Sequence, residues 1–521
     1  MGPLISRSAV AAFMARPMDN FQWLKREHKQ VLLDEIRQLP VRPIFKTEPW
    51  FHQLVCFYIG CCYPEFLFLL DMGLGKSKIA LDVFWQRKRM REAKRLLVLV
   101  PRLINHESWE NAILDHSYMQ PWCVSMSDTE AKFDALLRPP GDVAVIDYQG
   151  LALACCKKVK GGKNGNMKMV PDERKIAMLQ SVYDAVVFDE IHKISKDTTM
   201  WFELLSKLTA PFRVRYGATG TLFNRDVSTL WAPFRLVDGG ETFGITPALF
   251  RSAFFEQESN EFGSKLKFNR AMIGPLNNMI GHRSIRYADR EVLDLPSLVV
   301  HPPVRFHMGE EYREHYLRAV QGTINAGTLE AKKSAYITMR QVSAGYLAWK
   351  DSYGQHRHQF KEQPKLDYME AMVDRLAGQK LLVSHEYTET GVSITERLKA
   401  LGIKHTWLYG GTKDSIGAKK QFCEDPDTLV MVMNPASGSE GTDGLQHVCQ
   451  HLLFYESPTG PTMRHQTIKR LHRPGQKKRV YVTDMVMTGT VDKRILEDVN
   501  AGRDFFAQVM EGTNTKGTFF G

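Results

Sequence analysis

The sequence has 521 residues, 43% of them hydrophobic and 24% charged, which is enough for roughly two to four globular domains with a large core. Its cysteines show no Cys-x-x-Cys spacing, and its longest apolar stretch, Leu54 to Leu70, is broken by Pro64-Glu65, so the pattern argues against a zinc finger and a membrane-spanning helix. The net charge of +11 favours a polyanionic partner, although a basic enzyme without one has the same balance. We expect a cytoplasmic protein with free thiols.

The N-terminal part of the chain is predicted to be a helical extension, residues 1–45. Residues 20–39 show helical periodicity, and Pro40, Pro43 and Pro49 end that pattern. This segment therefore predicts a leading helix packed on the domain that follows.

The first candidate site is the stretch from Phe66 to Trp85. Phe66–Leu70 predicts a buried strand, a turn with two glycines follows, and an amphipathic run from Lys78 predicts a helix. Such a turn lets backbone N–H groups and a helix N-terminus approach a phosphate, although it is often only a turn. Leu70 stands where the Walker pattern has its first glycine. The residues predicted to bind phosphate are Met72, Gly73, Leu74, Gly75, Lys76 and Ser77, with Ser77 also on Mg²⁺.

Residues 46–240 alternate between apolar runs and helical or loop segments, which predicts a parallel sheet covered on both faces and hence an α/β domain. The predicted strands are Phe66–Leu70, Leu96–Val100, Val143–Ile146, Ala185–Phe188 and Arg213–Gly217. The lysine-rich stretch from Lys157 to Lys168 is interpreted as a flexible basic loop that is either simply solvated or touches phosphates.

Residues 241–365 interrupt this alternation and are predicted to be a mostly helical insertion. Their aromatic and basic residues could stack and neutralise a nucleic acid, although aromatics at helical spacing more often form a core. Alternation resumes in a second α/β domain, residues 366–500, and a tail covers 501–521. The strands predicted there are Lys380–Ser384, Thr406–Tyr409, Leu429–Met433, Leu452–Tyr455 and Val480–Asp484.

Two further patterns lie at strand ends, where a parallel sheet presents its ligand site. The strand Ala185–Phe188 runs into Asp189-Glu190, a pair that can hold Mg²⁺ and orient or deprotonate an attacking water. An Asp-Glu pair is common on surfaces, but the strand before it and the phosphate loop upstream make that interpretation the weaker one. The strand ending in Thr219-Gly220-Thr221 can sense the terminal phosphate, or can be an ordinary turn.

The second half contributes two arginines. Arg470 and Arg473 are three residues apart, so on a helix they would share one face. Two planar cations on one face suit a triphosphate approached from across a cleft, although a basic surface helix has the same spacing.

Taken in order, these motifs resemble those of helicase superfamily two, and most closely the Swi/Snf-type DNA translocases. Further similarities are Leu99-Val100-Pro101 followed by Trp109, Val145–Tyr148, Arg286 followed by Leu295-Pro296, Leu408–Thr412, Ser437–Gln446 and Gln466–Gln476. The resemblance runs from about residue 48 to 495. It implies two RecA-like lobes that hydrolyse ATP with Mg²⁺ and translocate along double-stranded DNA without sequence specificity, in a minimal, monomeric motor of viral or bacterial type.

The resemblance also assigns roles by position. Gln53 would contact the adenine, and Gly441 would contact the nucleotide. Lys76, Asp189, Glu190, Arg470 and Arg473 would be catalytic. The residues that would couple hydrolysis to DNA are Pro101, Tyr148, His192, Thr219, Gly220, Thr221, Ser437 and Gln466.

The sequence departs from the family pattern at Thr442, Gln446, Thr459-Gly460 and Pro474. These departures concern the coupling to DNA more than hydrolysis. Two other functions remain open: a strand-separating or branch-migrating helicase on forked DNA or RNA, and a nucleic-acid-binding scaffold that does not hydrolyse ATP. A protein partner could bind through residues 241–365.

Overall fold

The structure is a computed structural model that describes residues 6–21, 29–103, 105–160, 167–220, 226–260, 263–292, 295–324, 329–352, 354–435 and 444–511. The chain divides into two compact units: the main part of the first runs to Val292, and that of the second runs from Leu293 to Phe505. No helix within the described ranges is long and apolar enough to cross a membrane.

The first unit is built on a sheet of seven parallel strands in the order β11-β1-β8-β7-β2-β4-β3. The central strands are mostly apolar, and their side chains are buried almost completely, because both faces of the sheet are covered. Two antiparallel hairpins, β5-β6 and β9-β10, accompany the sheet. The strands of this unit are β1 Glu65–Leu70, β2 Leu96–Val100, β3 Pro121–Cys123, β4 Val143–Asp147, β5 Cys156–Lys160, β6 Met167–Pro171, β7 Ala185–Asp189, β8 Val214–Thr219, β9 Phe255–Asn260, β10 Gly263–Phe268 and β11 Ser284–Tyr287.

Helices connect these strands. Short 3₁₀ helices lie at Ile191–Lys193, Val227–Leu230 and Arg270–Met272. The α-helices of the first unit are α1 Arg7–Met14, α2 Lys29–Arg37, α3 Phe51–Cys62, α4 Lys76–Arg89, α5 Asn105–His116, α6 Thr129–Leu137, α7 Tyr148–Cys155, α8 Glu173–Val182, α9 Met200–Leu208, α10 Trp231–Asp238, α11 Pro247–Phe254, α12 Ile273–His282 and α13 Asp289–Val292.

The second unit repeats this plan with a parallel sheet in the order β12-β20-β19-β16-β18-β17, in which β13 also pairs with β20. Alternate residues of β16 enter different clusters, Leu381 and Val383 on one side and Leu382 on the other, so this sheet too is covered on both faces. Its strands are β12 Leu298–Val300, β13 Val304–Phe306, β14 Tyr346–Asp351, β15 Gly354–Gln359, β16 Lys380–Ser384, β17 His405–Leu408, β18 Val430–Met433, β19 Cys449–Phe454 and β20 Val480–Met487.

The second unit also holds an antiparallel hairpin, β14-β15, and eight α-helices within the described ranges. These helices are α14 Glu310–Ile324, α15 Leu329–Ala344, α16 Pro364–Arg375, α17 Thr388–Ala400, α18 Ser415–Glu424, α19 Leu445–Val448, α20 Pro461–Ile468 and α21 Val491–Glu511.

The two α/β lobes predicted from the sequence are confirmed, with differences in the regions around them. The basic stretch after Cys155 is an antiparallel hairpin rather than a loop, because β5 and β6 satisfy each other's backbone groups; residues 161–166 lie outside the described ranges. Residues 241–365 are less helical than predicted: they supply β11 to the first sheet and β12 and β13 to the second. The separate domain predicted there, like the other predicted boundaries, stays a prediction. The leading helix is observed from Lys29 to Arg37, and residues 22–28 lie outside the description.

Candidate nucleotide-binding site

The loop predicted to bind phosphate connects β1 to α4. Gly73 and Gly75 have φ angles of 85° and 81°, in the left-handed region that glycine tolerates best. A Cβ atom on Gly75 would lie 2.3 Å from Nε2 of Gln53, so this position also allows a close approach. Helix α4 begins at Lys76, whose Nζ donates a hydrogen bond to the Leu70 carbonyl at 3.0 Å. The loop, the helix start and the lysine therefore form one cradle.

Two side chains of α3 contact this loop through the Leu74 carbonyl. Nε2 of Gln53 donates to the Leu74 carbonyl at 3.2 Å, and Nε2 of His52 lies 2.9 Å from the same oxygen. The Gln53 Oε1 atom accepts a hydrogen bond from the Trp50 backbone N–H at 2.9 Å. Gln53 thus fixes the phosphate loop, and its predicted contact with adenine stays a prediction. His52 was not predicted, because nothing in its local sequence indicates its contact with Leu74.

The predicted carboxylate pair lies at the end of β7. Asp189 Oδ2 accepts a hydrogen bond from Nε1 of Trp109 at 2.9 Å, and the Asp189 carbonyl accepts one from the Tyr148 hydroxyl at 2.9 Å. Glu190 has a φ of 46°, an unusual conformation for a residue with a side chain. Backbone strain of this kind is often retained at functional sites, where surrounding contacts determine the conformation.

Glu190 belongs to a hydrogen-bonded triad. The Thr219 hydroxyl donates to Glu190 Oε2 at 2.9 Å, and Nδ1 of His192 lies 2.9 Å from the Thr219 oxygen and 3.1 Å from Glu190 Oε2. Because an ionised carboxylate only accepts, the hydroxyl proton points to Glu190, and the histidine Nδ1 must carry a proton of its own. The structure thus joins three residues that the sequence predicted separately.

The electrostatics of the two carboxylates differ. Burial and the nearby charge of Glu190 raise the pKa of Asp189. Burial also acts to raise the pKa of Glu190, but the charge of Lys76 and the hydrogen bonds from His192 and Thr219 lower it below its usual range. Glu190 is therefore held as an acceptor, while Asp189 is a half-buried carboxyl whose raised pKa a bound cation would lower.

The ends of β1, β8 and β7 adjoin because these strands are neighbours in the sheet. A Cβ atom on Gly220 would lie 3.2 Å from the Leu70 carbonyl oxygen and 3.7 Å from Lys76 Nζ, so this glycine lets β8 approach the phosphate loop. Thr221 lies outside the described residues. The side chains predicted for this site are the hydroxyl of Ser77, the carboxylates of Asp189 and Glu190, and the ammonium group of Lys76. This set of groups fits a Mg²⁺-bound phosphate.

Two residues predicted to couple hydrolysis to DNA follow β2 and β4 at the same edge of the sheet as the carboxylates. Pro101 directly follows β2. Tyr148 opens α7, is 2% exposed and stacks on Trp201, so it belongs to the packed layer beneath the carboxylates. Trp109 belongs to one of the motifs in the sequence, but its bond to Asp189 cannot be predicted from the sequence, since 80 residues separate the two.

The second unit places the predicted arginines differently from the expectation. Helix α20 contains Gln466 but ends at Ile468, so Arg470 and Arg473 lie in the turns that follow it and do not share a helix face. Arg470 is 2% exposed, and Arg473 is half-buried. The helix instead carries Arg464, which forms a buried bidentate pair with Asp484 at 2.6 Å and 2.6 Å. Ser437 and Gly441 lie outside the described residues.

Two parallel sheets, a glycine loop at a helix start and an Asp-Glu pair two strands away in the same sheet form the kind of core that the sequence resemblance implies, and this chain is similar to helicase-like ATPases. The family model "Type III restriction enzyme, res subunit" matches residues 64–222. The Bacillus subtilis protein called an uncharacterized ATP-dependent helicase, YqhH, is 23% identical over 61% of this chain and 58% of its own length. The human chromatin-remodeling ATPase INO80 is 25% identical over 29% of this chain and 10% of its own length.

A solved structure, the Sulfolobus solfataricus SWI2/SNF2 ATPase core in complex with dsDNA, aligns with 91% of this chain and 95% of its own at 18% identity and a TM-score of 0.40. The chain spans less than two thirds of the length of the curated relatives named above.

Proposed function

We propose that the protein is an ATP-dependent translocase on double-stranded DNA. The observation that carries the proposal is the triad of Glu190, Thr219 and His192 beside the cradle of Lys76. This triad connects Glu190, the candidate catalytic carboxylate, to Thr219 at the end of β8. A change at the terminal phosphate that moves Glu190 would therefore also move the end of β8. An isolated phosphate-binding loop would not need such a connection.

In the proposed reaction, the loop amides and Lys76 bind the β- and γ-phosphates, and Glu190 orients the attacking water. Ser77 and Asp189 would hold Mg²⁺, which supplies positive charge at the phosphate oxygens. Trp109 keeps the Asp189 carboxylate aimed through its Nε1–H bond. The sequence resemblance assigns Arg470 and Arg473 to the same phosphates as arginine fingers, and such a role would link hydrolysis to motion.

The proposed partner is duplex DNA gripped through its phosphates. The net charge of +11 supports a polyanionic partner, and lysines 157, 158, 160 and 168 are all exposed on the β5-β6 hairpin. Among the relatives, a yeast DNA repair and recombination protein, RDH54, and INO80 have names that refer to DNA or chromatin. Contacts of this kind give affinity that is independent of sequence and falls steeply with salt.

The test is ATP turnover measured without nucleic acid and with duplex, single-stranded, forked and branched DNA side by side, each at two salt concentrations. We expect the largest stimulation by duplex, weakening as salt rises. Glu190→Gln should retain ATP binding and lower turnover by about 10²- to 10⁴-fold. Chelation of Mg²⁺ should abolish turnover. Turnover that no nucleic acid stimulates would refute the motor, and wild-type turnover equal to that of Glu190→Gln would indicate a scaffold.

Translocation and strand separation are distinguished by two further assays. Displacement of a third strand from a triplex without unwinding of a tailed duplex supports translocation, and the reverse supports a helicase. For the second unit, Arg473→Ala should lower kcat by about 10³-fold or more while ATP affinity is kept, as for an arginine finger. The exposed Arg479 offers the matched control, because Arg479→Ala removes a nearby cation and should leave kcat unchanged.

A further inference from the structure

A second group of ligand-type side chains lies in the second unit, between α14 and the β14-β15 hairpin. Glu311 and His315 are one turn apart on α14, and His358 lies on β15. One ligand atom from each residue lies within 4.8 Å of the other two, and Nε2 of His358 lies 2.9 Å from Glu311 Oε1. The residues come from two separate elements, so the fold rather than the local sequence brings them together.

Neighbouring contacts hold these side chains in place. The His315 ring stacks on Phe360 with centroids 5.3 Å apart and planes 9° apart, and Phe360 is only 2% exposed. The second carboxylate oxygen of Glu311 accepts a hydrogen bond from the Lys361 backbone N–H at 3.0 Å. One of the Glu311 oxygens is thus anchored while the other faces His358, an arrangement typical of a supported metal ligand.

Two imidazoles and one carboxylate form a ligand set that suits Zn²⁺ and related divalent transition metals, with a fourth position left for water. Tetrahedral coordination with bonds of about 2.1 Å places ligand atoms about 3.4 Å apart. The hydrogen-bonded pair at 2.9 Å would need to open by about half an ångström as the metal replaces the shared proton, and the wider pairs would need to close by about 1.4 Å at most. His358 is exposed, so its side chain can make this adjustment.

We propose that Glu311, His315 and His358 bind one divalent transition-metal ion of the Zn²⁺ class. The ion links α14 to the β14-β15 hairpin, because three coordinate bonds replace the hydrogen bond between Glu311 and His358. Since binding needs both elements in their folded positions, the metal stabilises the second unit.

The experiment is a titration of the full chain with Co²⁺, followed by displacement with Zn²⁺, without nucleotide and in an Asp189→Asn background that removes the carboxylate proposed for Mg²⁺. We expect one equivalent of Co²⁺ with the intense visible absorption of a tetrahedral site, and a rise in melting temperature with Zn²⁺. His315→Ala, His358→Ala and Glu311→Gln should each weaken binding by about 100-fold or more and remove the thermal shift.

Two variants are matched controls. His356→Ala removes an imidazole two residues away on the same strand, and Glu314→Gln removes a carboxylate on the same helix that pairs with Arg318. Both should bind the metal as the wild type does. His358→Cys should bind Co²⁺ where His358→Ala does not, and should add a thiolate-to-cobalt charge-transfer band. That band would identify residue 358 as a ligand even if another variant folds poorly.

Absence of a tetrahedral Co²⁺ spectrum would overturn the proposal, as would binding that His358→Ala leaves unchanged or that His356→Ala abolishes. In each case the Glu311–His358 contact would be a hydrogen bond only. This outcome is independent of the proposed translocase, whose ATP turnover is measured separately.

Discussion

The triad of Glu190, Thr219 and His192 leads to a quantitative prediction for Thr219→Val. Valine keeps the shape of this fully buried side chain but removes the hydroxyl that donates to Glu190 at 2.9 Å. A hydrogen bond to a charged group contributes about 1.5–3 kcal/mol. If Glu190 depends on this bond in the transition state, the rate should fall by about 10- to 100-fold, since about 1.4 kcal/mol corresponds to a factor of ten.

The assay is steady-state ATP turnover at saturating ATP, with and without duplex DNA, alongside thermal unfolding. Thr219→Ser keeps the hydroxyl and should retain most of the activity. Thr209→Val is the matched control, because its buried hydroxyl donates to the Leu205 carbonyl at 2.9 Å inside the same unit. It should cost similar stability and leave turnover unchanged. Wild-type turnover in a folded Thr219→Val protein would refute the reasoning.

Three further predictions concern other described residues. Gly75→Ala should weaken binding of a non-hydrolysable ATP analogue by equilibrium titration, because its left-handed φ costs about 1–2 kcal/mol and its methyl group displaces Gln53. Burial lowers the pKa of His385 to about 4, so stability to urea should fall as pH drops from about 6.5 towards 4, by at most about 1.4 kcal/mol per pH unit. Asp492→Asn should destabilise the second unit to urea by about 3–5 kcal/mol, because it leaves Lys365 buried without its carboxylate.

The controls follow from the same contacts. Gly402→Ala has a comparable φ of 69° but nothing within 4 Å of its added methyl group, so analogue affinity should be unchanged. For His385, Nδ1 lies 2.9 Å from the Tyr387 carbonyl and Nε2 accepts from Trp407 Nε1–H at 3.1 Å, which fixes the neutral ring. His385→Asn should therefore flatten the pH profile between about 6.5 and 4, and an unchanged profile would contradict the assignment.

The same sign argument applies to Asp492. Although burial opposes it, the nearby charge of Lys365 helps to lower the pKa of Asp492, so the wild-type advantage over Asp492→Asn should be complete above about pH 4 and shrink below it. A constant difference across that range would contradict the pairing.

The central strands could be predicted because they are buried on both faces and read as apolar runs. Leu96–Val100 and Lys380–Ser384 were located to the residue, and the others to within a few residues. The edge strands could not be predicted from the sequence. Strand β3 has only three residues, too few to show a pattern, and the apolar pattern of β11 is interrupted by Arg286. The β5 strand is lysine-rich and exposed, and only its pairing with β6 makes it a strand.

The candidate site was predictable where chemistry follows directly after a strand, as at Asp189 and Thr219. Its supporting contacts were not, because they join residues far apart in sequence: Trp109 with Asp189, and His52 with Leu74. The helical interpretation of Arg470 failed for a different reason. The spacing of residues can indicate a helix, but it does not determine the residue at which the helix ends, which here is Ile468.

Strand β11, at the edge of the first sheet, is the last strand before the chain passes to the second unit. It runs parallel to β1, with Tyr287 opposite Leu70, and the Tyr287 carbonyl accepts a hydrogen bond at 3.2 Å from the backbone N–H of Asp71, the first residue after that strand. The polypeptide then continues through α13 to the second unit, which begins at Leu293. The connection to the second unit therefore leaves the sheet one hydrogen bond away from the loop proposed to bind the phosphates. We expect a flexible insertion after Tyr287 to weaken any coupling between that loop and the second unit.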